Sequence, residues 1–368
     1  MSGEFKDFID LRHLAAMKDQ DGRKPSFFFS QSSRRLGKTF SAAKLALERF
    51  ENGYDLGPRF NILVRNKYEV QRSAQSLLSG YLEQRAMDGE HLTVQEKPVS
   101  DGLYAEVYLQ EIIDADEDGE VKVSVDEELI GYVQPLHMAD KLKSHSQQFS
   151  SVGTQIFDEF QPKDRKVYLK NEISNFYTIW ESVARGVGQP IRDIDTFFLS
   201  NAMSLVNPYF LDFGITGRLQ RDTKVLRGPA WVLQRYKSDK MLQMARESPL
   251  ARALADTEMA QYSDEEFSED SDAGVAKPSG WGESEYLATF VVGRLHIPVR
   301  RYLGTDYLFF GGRVQPEAQR VRYDYDDDPG ALSIRATSLG RMFRDFSDHG
   351  LVRFEDQMIK SVLFDILA

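Results

Sequence analysis

Apolar and polar positions alternate between two periods along most of the chain. Residues 1–24 are polar with helical spacing of Phe5, Phe8, Ile9, Leu11 and Leu14. Pro25-Ser-Phe-Phe-Phe-Ser is a short aromatic run ended by polar residues, which predicts a buried strand. A loop over Gln31–Gly37 and a helix over Lys38–Tyr54 follow, the helix marked by Phe40, Ala43, Leu45 and Leu47 among charged residues. Phe60–Val64 predicts a second strand and Lys67–Met87 a second helix. From Leu92 to Val133 the pattern alternates and is broken at Asp101-Gly102 and Asp118-Gly119, the signature of a β-hairpin insertion. Thr154–Asp158 and Asp195–Ser200 predict strands on either side of a helix over Asn171–Val187. Strands alternating with helices predict a mostly parallel sheet.

Beyond about residue 215 the character changes. Thr223–Tyr262 has helical composition, and Ser263–Gly280 is acidic and poor in apolar residues, as expected of a linker. Tyr286–Phe310 is strand-like, and Gln357–Ala368 predicts a closing amphipathic helix. The expected organisation is an α/β domain over 1–215, a helical connector and acidic linker over 216–275, and a small α/β domain over 276–368. A length of 368 residues suits two domains.

Composition narrows the chemistry. The chain has no cysteine, which excludes disulfides, cysteine-ligated metals and a thiol nucleophile. The six histidines lack metal-ligand spacing. The first residues have no apolar signal core and no stretch is long enough to span a bilayer, so a soluble, intracellular protein without membrane partners is expected. The net charge of −11 argues against a protein that coats nucleic acid. Its acids concentrate in Asp114–Glu128, Asp264–Asp272 and Asp324–Asp328, which leaves room for a local basic surface.

One motif dominates. Ser32-Ser33-Arg34-Arg35-Leu36-Gly37-Lys38-Thr39 fits the phosphate-loop pattern except at its first position, where serine replaces glycine. It lies between a predicted strand and a predicted helix. Backbone amides of Ser33–Gly37 and the helix start would cradle the phosphates of ATP. Lys38 would reach the β- and γ-phosphates, and Thr39 would offer a hydroxyl to Mg²⁺. Downstream, the strand over Thr154–Asp158 ends in Asp158-Glu159, as an additional-strand P-loop ATPase requires: Asp158 for Mg²⁺, Glu159 to polarise the lytic water. Asn201, ending another strand, can touch the γ-phosphate. Each signal has a bland counterpart: Gly-Lys-Thr on an exposed turn, or polar residues that merely end strands. Their order in one chain favours the nucleotide site.

The runs Phe157-Asp-Glu-Phe, Leu199-Ser-Asn-Ala-Met-Ser-Leu-Val-Asn-Pro-Tyr-Phe-Leu and Val352-Arg-Phe-Glu-Asp-Gln-Met-Ile-Lys resemble those of the phi29-type DNA-packaging ATPases of small tailed bacteriophages. Arg34 matches the family's loop arginine, whereas Ser32 and Arg35 replace its glycines. The resemblance implies an additional-strand P-loop ATPase domain followed by an RNase H-like domain without nuclease activity. It also implies a homomeric ring, a pentamer, docked on the portal of a prohead in an infected bacterium and pumping double-stranded DNA. A packaging RNA between motor and portal stays open. By position, Arg185 in Glu181–Arg185 resembles an arginine finger offered to the neighbouring subunit, and Lys143 a second basic residue acting in trans. Arg65, Lys67, Lys163, Arg165 and Lys166, near strand ends, are candidates to line a DNA pore. Asp306, Asp324 and Asp326–Asp328 are the acids that a working nuclease would draw on, but acids bunched before Pro329-Gly330 suit a solvated turn better. Rival readings are a motor with an active metal-dependent nuclease and a P-loop adaptor that binds nucleotide without turnover. Glu159 and Arg185 argue against the adaptor, which needs neither.

Overall fold

The computed structural model describes residues 8–32, 36–115, 121–162, 168–185, 191–201, 206–219, 223–236, 274–323 and 338–367. The chain divides into two compact units, Met1–Ala202 with Arg227–Asp264, and Met203–Leu226 with Glu265–Ala368.

In the first unit, strands β1 (Phe27–Ser32), β2 (Arg59–Val64), β3 (Leu92–Val99), β4 (Tyr104–Ala115), β5 (Val121–Pro135), β6 (Val152–Asp158), β7 (Asp195–Asn201), β8 (Val225–Gly228) and β9 (Trp231–Tyr236) form one sheet. Its order is β3-β4-β5-β2-β6-β7-β1-β9-β8. From β5 to β9 every neighbouring pair is parallel. β3, β4 and β5 are antiparallel, so the expected hairpin insertion extends the sheet at one side. The central strands are buried on both faces, which is why they read as continuous apolar runs. Phe28 stacks on Phe197 at 4.9 Å and Phe29 on Phe198 at 4.5 Å, each pair in register across β1 and β7.

Helices α1 (Leu11–Ala15), α2 (Lys38–Glu51), α3 (Ser73–Met87), α4 (Ala139–Leu142) and α5 (Glu172–Ala184) belong to this unit. The α5 helix packs Phe176 against Phe198 at 5.2 Å and Trp180 against Phe27 at 5.4 Å. The predicted helix over 67–87 is split: Lys67–Glu69 is a 3₁₀ turn closed by an Asn66/Glu69 capping box, and Arg72, with φ of 73°, precedes α3. A larger correction concerns 223–262. Its first part holds the strands β8 and β9 instead of a helix, and β9 pairs with β1. Gly228-Pro229 breaks any helix there, and Trp231, Val232 and Leu233 find a buried seat beside β1 that outweighs helical composition. Residues 237–273, where the connector and acidic linker were expected, lie outside the described residues.

The second unit is α/β, as expected. Strands β10 (Ser284–Val292), β11 (Leu295–Tyr302), β12 (Tyr307–Phe310), β13 (Arg320–Tyr323) and β14 (Val352–Phe354) are ordered β13-β10-β11-β12-β14. β11 is antiparallel to both β10 and β12, and β13 and β14 add in parallel at the two edges. Phe310 packs on Phe343 of helix Ser338–Asp348 and on Phe354. Helix Gln357–Leu367 closes this core through Phe364. No helix among the described residues is long and apolar enough to cross a membrane.

One close approach sets the start of β6. A Cβ on Gly153 would lie 2.2 Å from the carbonyl oxygen of Gly57. That oxygen is backbone and cannot swing away. Gly153→Ala is therefore expected to lower stability by about 1–3 kcal/mol, the range for overpacked sites. Thermal melts read it, and an unchanged melting temperature would refute the close fit.

Candidate nucleotide and metal site

The parallel strands all end at the same side, and their last residues build the site. β1 ends at Ser32, which is in register with Asn201 at the end of β7. Asp158, the last residue of β6, is in register with Leu199. Then β1 leads to α2, whose cap is Gly37 with φ of 76°, a left-handed conformation that glycine adopts without strain. Gly37 has no side chain with which to cap α2, and a helix start is where backbone amides meet an anion.

Lys38 is buried, and its Nζ donates to Ser32 Oγ at 2.7 Å and to Asn201 Oδ1 at 3.0 Å. The ammonium is thus held between the ends of β1 and β7. Thr39 Oγ1 donates to Asp158 Oδ2 at 2.8 Å, across 119 positions of sequence. This hydroxyl–carboxylate pair is an oxygen-only donor set of the kind Mg²⁺ takes. Burial pushes the Asp158 carboxyl above the usual aspartate range. The Thr39 hydrogen bond opposes this, and the neighbouring Glu159 charge adds to it. An acid whose charge is this poorly solvated fits a cation.

Glu159 follows at the turn, exposed, with φ of 53°. A left-handed backbone in a glutamate is uncommon and is found where the surroundings impose it. Its amide donates to Asp158 Oδ1 at 3.0 Å. Arg185 lies just past the end of α5 and is exposed. That helix end is held by Arg192, which donates to the Val183 carbonyl at 2.9 Å and, from its amide, to that of Ala184 at 2.8 Å. Lys143 is exposed and pairs with Asp140 at 2.9 Å. Leu36 is buried. Ser33, Arg34 and Arg35, and the basic residues Lys163, Arg165 and Lys166, lie outside the described residues.

Of the two DNA candidates at the end of β2, Lys67 is half-exposed and pairs with Asp101 at 3.3 Å. Arg65 is a correction. It is buried, paired with the buried Glu172, and donates to main-chain carbonyls, so it has no face to offer a DNA phosphate. In the second unit, Asp306 pairs with Arg301 at 3.1 Å. Asp324 and Asp326–Asp328 lie outside the described residues, and among those described no group of three or more His, Asp or Glu is placed to share a metal.

A cleft of about 370 Å³ that the residue pattern does not announce opens beside Gly37, lined by Phe8, Asp10, Phe40, Ser41 and Gln84 among others. The segment before α1 is tied there by Ile9 N–H to the Leu36 carbonyl at 3.0 Å and Leu11 N–H to Ser41 Oγ at 2.9 Å. Phe8 is an apolar residue in a polar stretch, which was the available signal.

The raised pKa of Asp158 has a consequence for stability. The folded chain holds this proton more tightly than the unfolded one, so the stability it contributes is present at low pH. It is lost as pH rises from the ordinary aspartate value through the raised one. Above that range the ionised carboxylate costs stability unless a cation offsets it. Asp158→Asn is expected to raise the melting temperature in EDTA at a pH where the parent carboxylate is ionised. It should also erase any stabilisation by Mg²⁺. A variant that melts lower than the parent in EDTA would contradict the reading.

Residues 104–368 match the family model described as podovirus DNA encapsidation protein (Gp16). The DNA packaging protein of Bacillus phage phi29 is 25% identical over 250 residues, covering 66% of this chain and 72% of that protein. The DNA packaging protein of Bacillus phage B103 is 28% identical over 254 residues, covering 66% and 74%. A chain of the solved bacteriophage Phi-29 viral genome packaging motor assembly superposes with a TM-score of 0.56 over 98% of both chains at 18% identity, a likeness of fold. With well over half its length matched by the family model, the chain belongs to the podovirus DNA encapsidation protein (Gp16) family.

Proposed function

We propose that this chain is the subunit of a ring motor that hydrolyses ATP to drive double-stranded DNA into a prohead. The observation that carries the proposal is the convergence of Lys38, Thr39, Asp158 and Asn201 at one end of a parallel sheet, before the uncapped start of α2. Membership of a DNA encapsidation family supports the substrate.

The α2 amides and Lys38 bind the phosphates. A γ-phosphate takes the place of Ser32 Oγ and Asn201 Oδ1 as acceptors for the Lys38 ammonium, and Asn201 is released to bond the phosphate itself. Its position then reports whether that phosphate is present. The base occupies the cleft beside Phe8 and Phe40. Thr39 and Asp158 would hold Mg²⁺, which supplies neutralising charge to the phosphate oxygens when bound. Glu159 orients the attacking water, and its exposed turn gives that carboxylate access to the phosphate from the solvent side. Arg185 reaches the site of the next subunit and stabilises charge developing on the transferred phosphoryl group. Lys143, once released by Asp140, adds a second positive charge in trans.

The ring is read as a pentamer docked on the portal, with Lys67, Lys163, Arg165 and Lys166 gripping DNA phosphates. A translocating motor needs backbone contacts and not base readout, so a few cations per subunit suffice despite a net charge of −11. No nuclease activity is assigned to the second unit.

Single-site variants and their mixtures test the shared site. Glu159→Gln is expected to bind ATP and hardly hydrolyse it. Arg185→Ala is expected to bind ATP nearly normally and to lose about 10³–10⁵-fold in hydrolysis. Mixed in one ring, the two supply some interfaces with both intact halves, and activity should return. Rings verified as mixed that stay inactive would remove the trans role of Arg185.

A further inference from the structure

Arg65 follows the last residue of β2, and Glu172 is the first residue of α5, and both side chains are buried. They meet through two contacts: Nε to Oε2 at 3.2 Å, and Nη2 to Oε1 at 3.0 Å. The guanidinium does more than pair. Nη1 donates to the carbonyl of Glu159 at 3.1 Å, and Nη2 donates to the carbonyl of Phe160. Its Cζ lies 4.9 Å from the Phe157 ring centre and 5.0 Å from that of Tyr168. Glu172 Oε2 also accepts the Leu169 amide at 2.8 Å.

The peptide units gripped this way are those of Glu159 and its neighbour, and Glu159 has the left-handed backbone with φ of 53°. Such a conformation persists in a non-glycine residue only where several contacts over-determine it. Two N–H donors of one rigid planar fork, set on two successive carbonyls, do this directly. An ion pair buried this deeply adds little net stability, because desolvation of both charges offsets their attraction. Its effect is to fix one geometry. The pair also joins two parts of the site. Glu172 opens α5, and Arg185 follows the other end of that helix, roughly 20 Å away at the rise of an α-helix.

We infer that Arg65 and Glu172 are positioning residues that aim the Glu159 carboxylate by clamping its backbone, and that they tie this aim to the helix carrying Arg185. The inference rests on the proposed role of Glu159 toward water. Neither side chain touches nucleotide; both act through Glu159. An ammonium cannot reproduce the planar fork, so Arg65→Lys keeps the charge and loses the double grip. Glu172→Gln keeps the volume and an acceptor oxygen but removes the charge that fixes the guanidinium.

The experiment measures single-turnover ATP hydrolysis, fluorescent-ATP affinity and thermal melts for the full-length chain and its variants in the presence of DNA. Arg65→Lys and Glu172→Gln are expected to lower the hydrolysis rate by about 10²-fold, the cost of misplacing a reacting group. Affinity should stay within about threefold of the parent, since loss of a transition-state contact leaves ground-state binding intact. The decisive arm combines each variant with Glu159→Gln. If the clamp works through Glu159, the double variants are no slower than Glu159→Gln alone. Independent losses that multiply would overturn the inference, and so would a parental rate in a folded single variant. Should Arg65→Lys fail to melt cooperatively, Glu172→Gln carries the test; failure of both would assign the pair to stability alone and overturn it. Parental turnover in Glu159→Gln itself would remove the role of Glu159 and the inference with it, whereas a parental rate confined to Arg65→Lys and Glu172→Gln removes only the inference.

Discussion

The placement of β7 between β1 and β6 governs this structure. With β7 in the middle, Asn201 stands at the elbow of Lys38, and Asp158 reaches Thr39 from one strand further away. Lys38 and Thr39, at the start of α2, thus meet the ends of two different strands, β7 and β6. The register of β7 is fixed at both ends. At its start, the buried Asp195 takes Arg49 at 2.7 Å, Lys24 at 2.9 Å and the Tyr54 hydroxyl at 2.7 Å. Along its length the paired phenylalanines stack on those of β1. A one-residue slip would turn those rings to the other face and carry Asn201 away from Lys38.

Polar groups inside the sheet strengthen this order. Asn61 on β2 donates to Gln134 on β5 at 2.8 Å and to Gln155 on β6 at 3.1 Å. Nearer the site, Gln161, just after the Glu159 turn, accepts from Gln31 on β1 at 3.1 Å and from Ser200 on β7 at 3.3 Å. These amides give the turn that carries Glu159 a direct link to the strands that carry Ser32 and Asn201. The same amides leave Gln31 Oε1, Asn61 Oδ1, Gln134 Nε2 and Gln155 Nε2 buried without a hydrogen-bond partner among the described residues.

Much of this was legible in the sequence where local pattern and local chemistry agree. Phe27–Phe29 read as a buried strand because both faces are covered, and the helix from Lys38 read correctly because its apolar residues recur at helical spacing. The Asp158-Glu159 pair read correctly as a strand end. What failed depends on distant partners. Trp231–Tyr236 looked helical among basic residues because its strand character comes from β1, about 200 positions earlier. Arg65 looked like a surface cation beside Lys67; its partners, Glu172 and the carbonyls of Glu159 and Phe160, lie about 100 positions away and give no local signal. The cleft beside Gly37 left one local trace, the apolar Phe8 in a polar stretch, because the residues that line it, Phe8 and Gln84 among them, come together only in the folded chain.

In the proposed function the Lys38 ammonium, bonded to Ser32 and Asn201, exchanges these partners for a phosphate. Equilibrium titration of a fluorescent ATP analogue with Mg²⁺ into the parent chain and Lys38→Ala tests it most directly. A charge-assisted hydrogen bond of about 1.5–3 kcal/mol corresponds to a loss of affinity of about 10- to 150-fold in the variant. Equal affinity in the two chains would contradict the account.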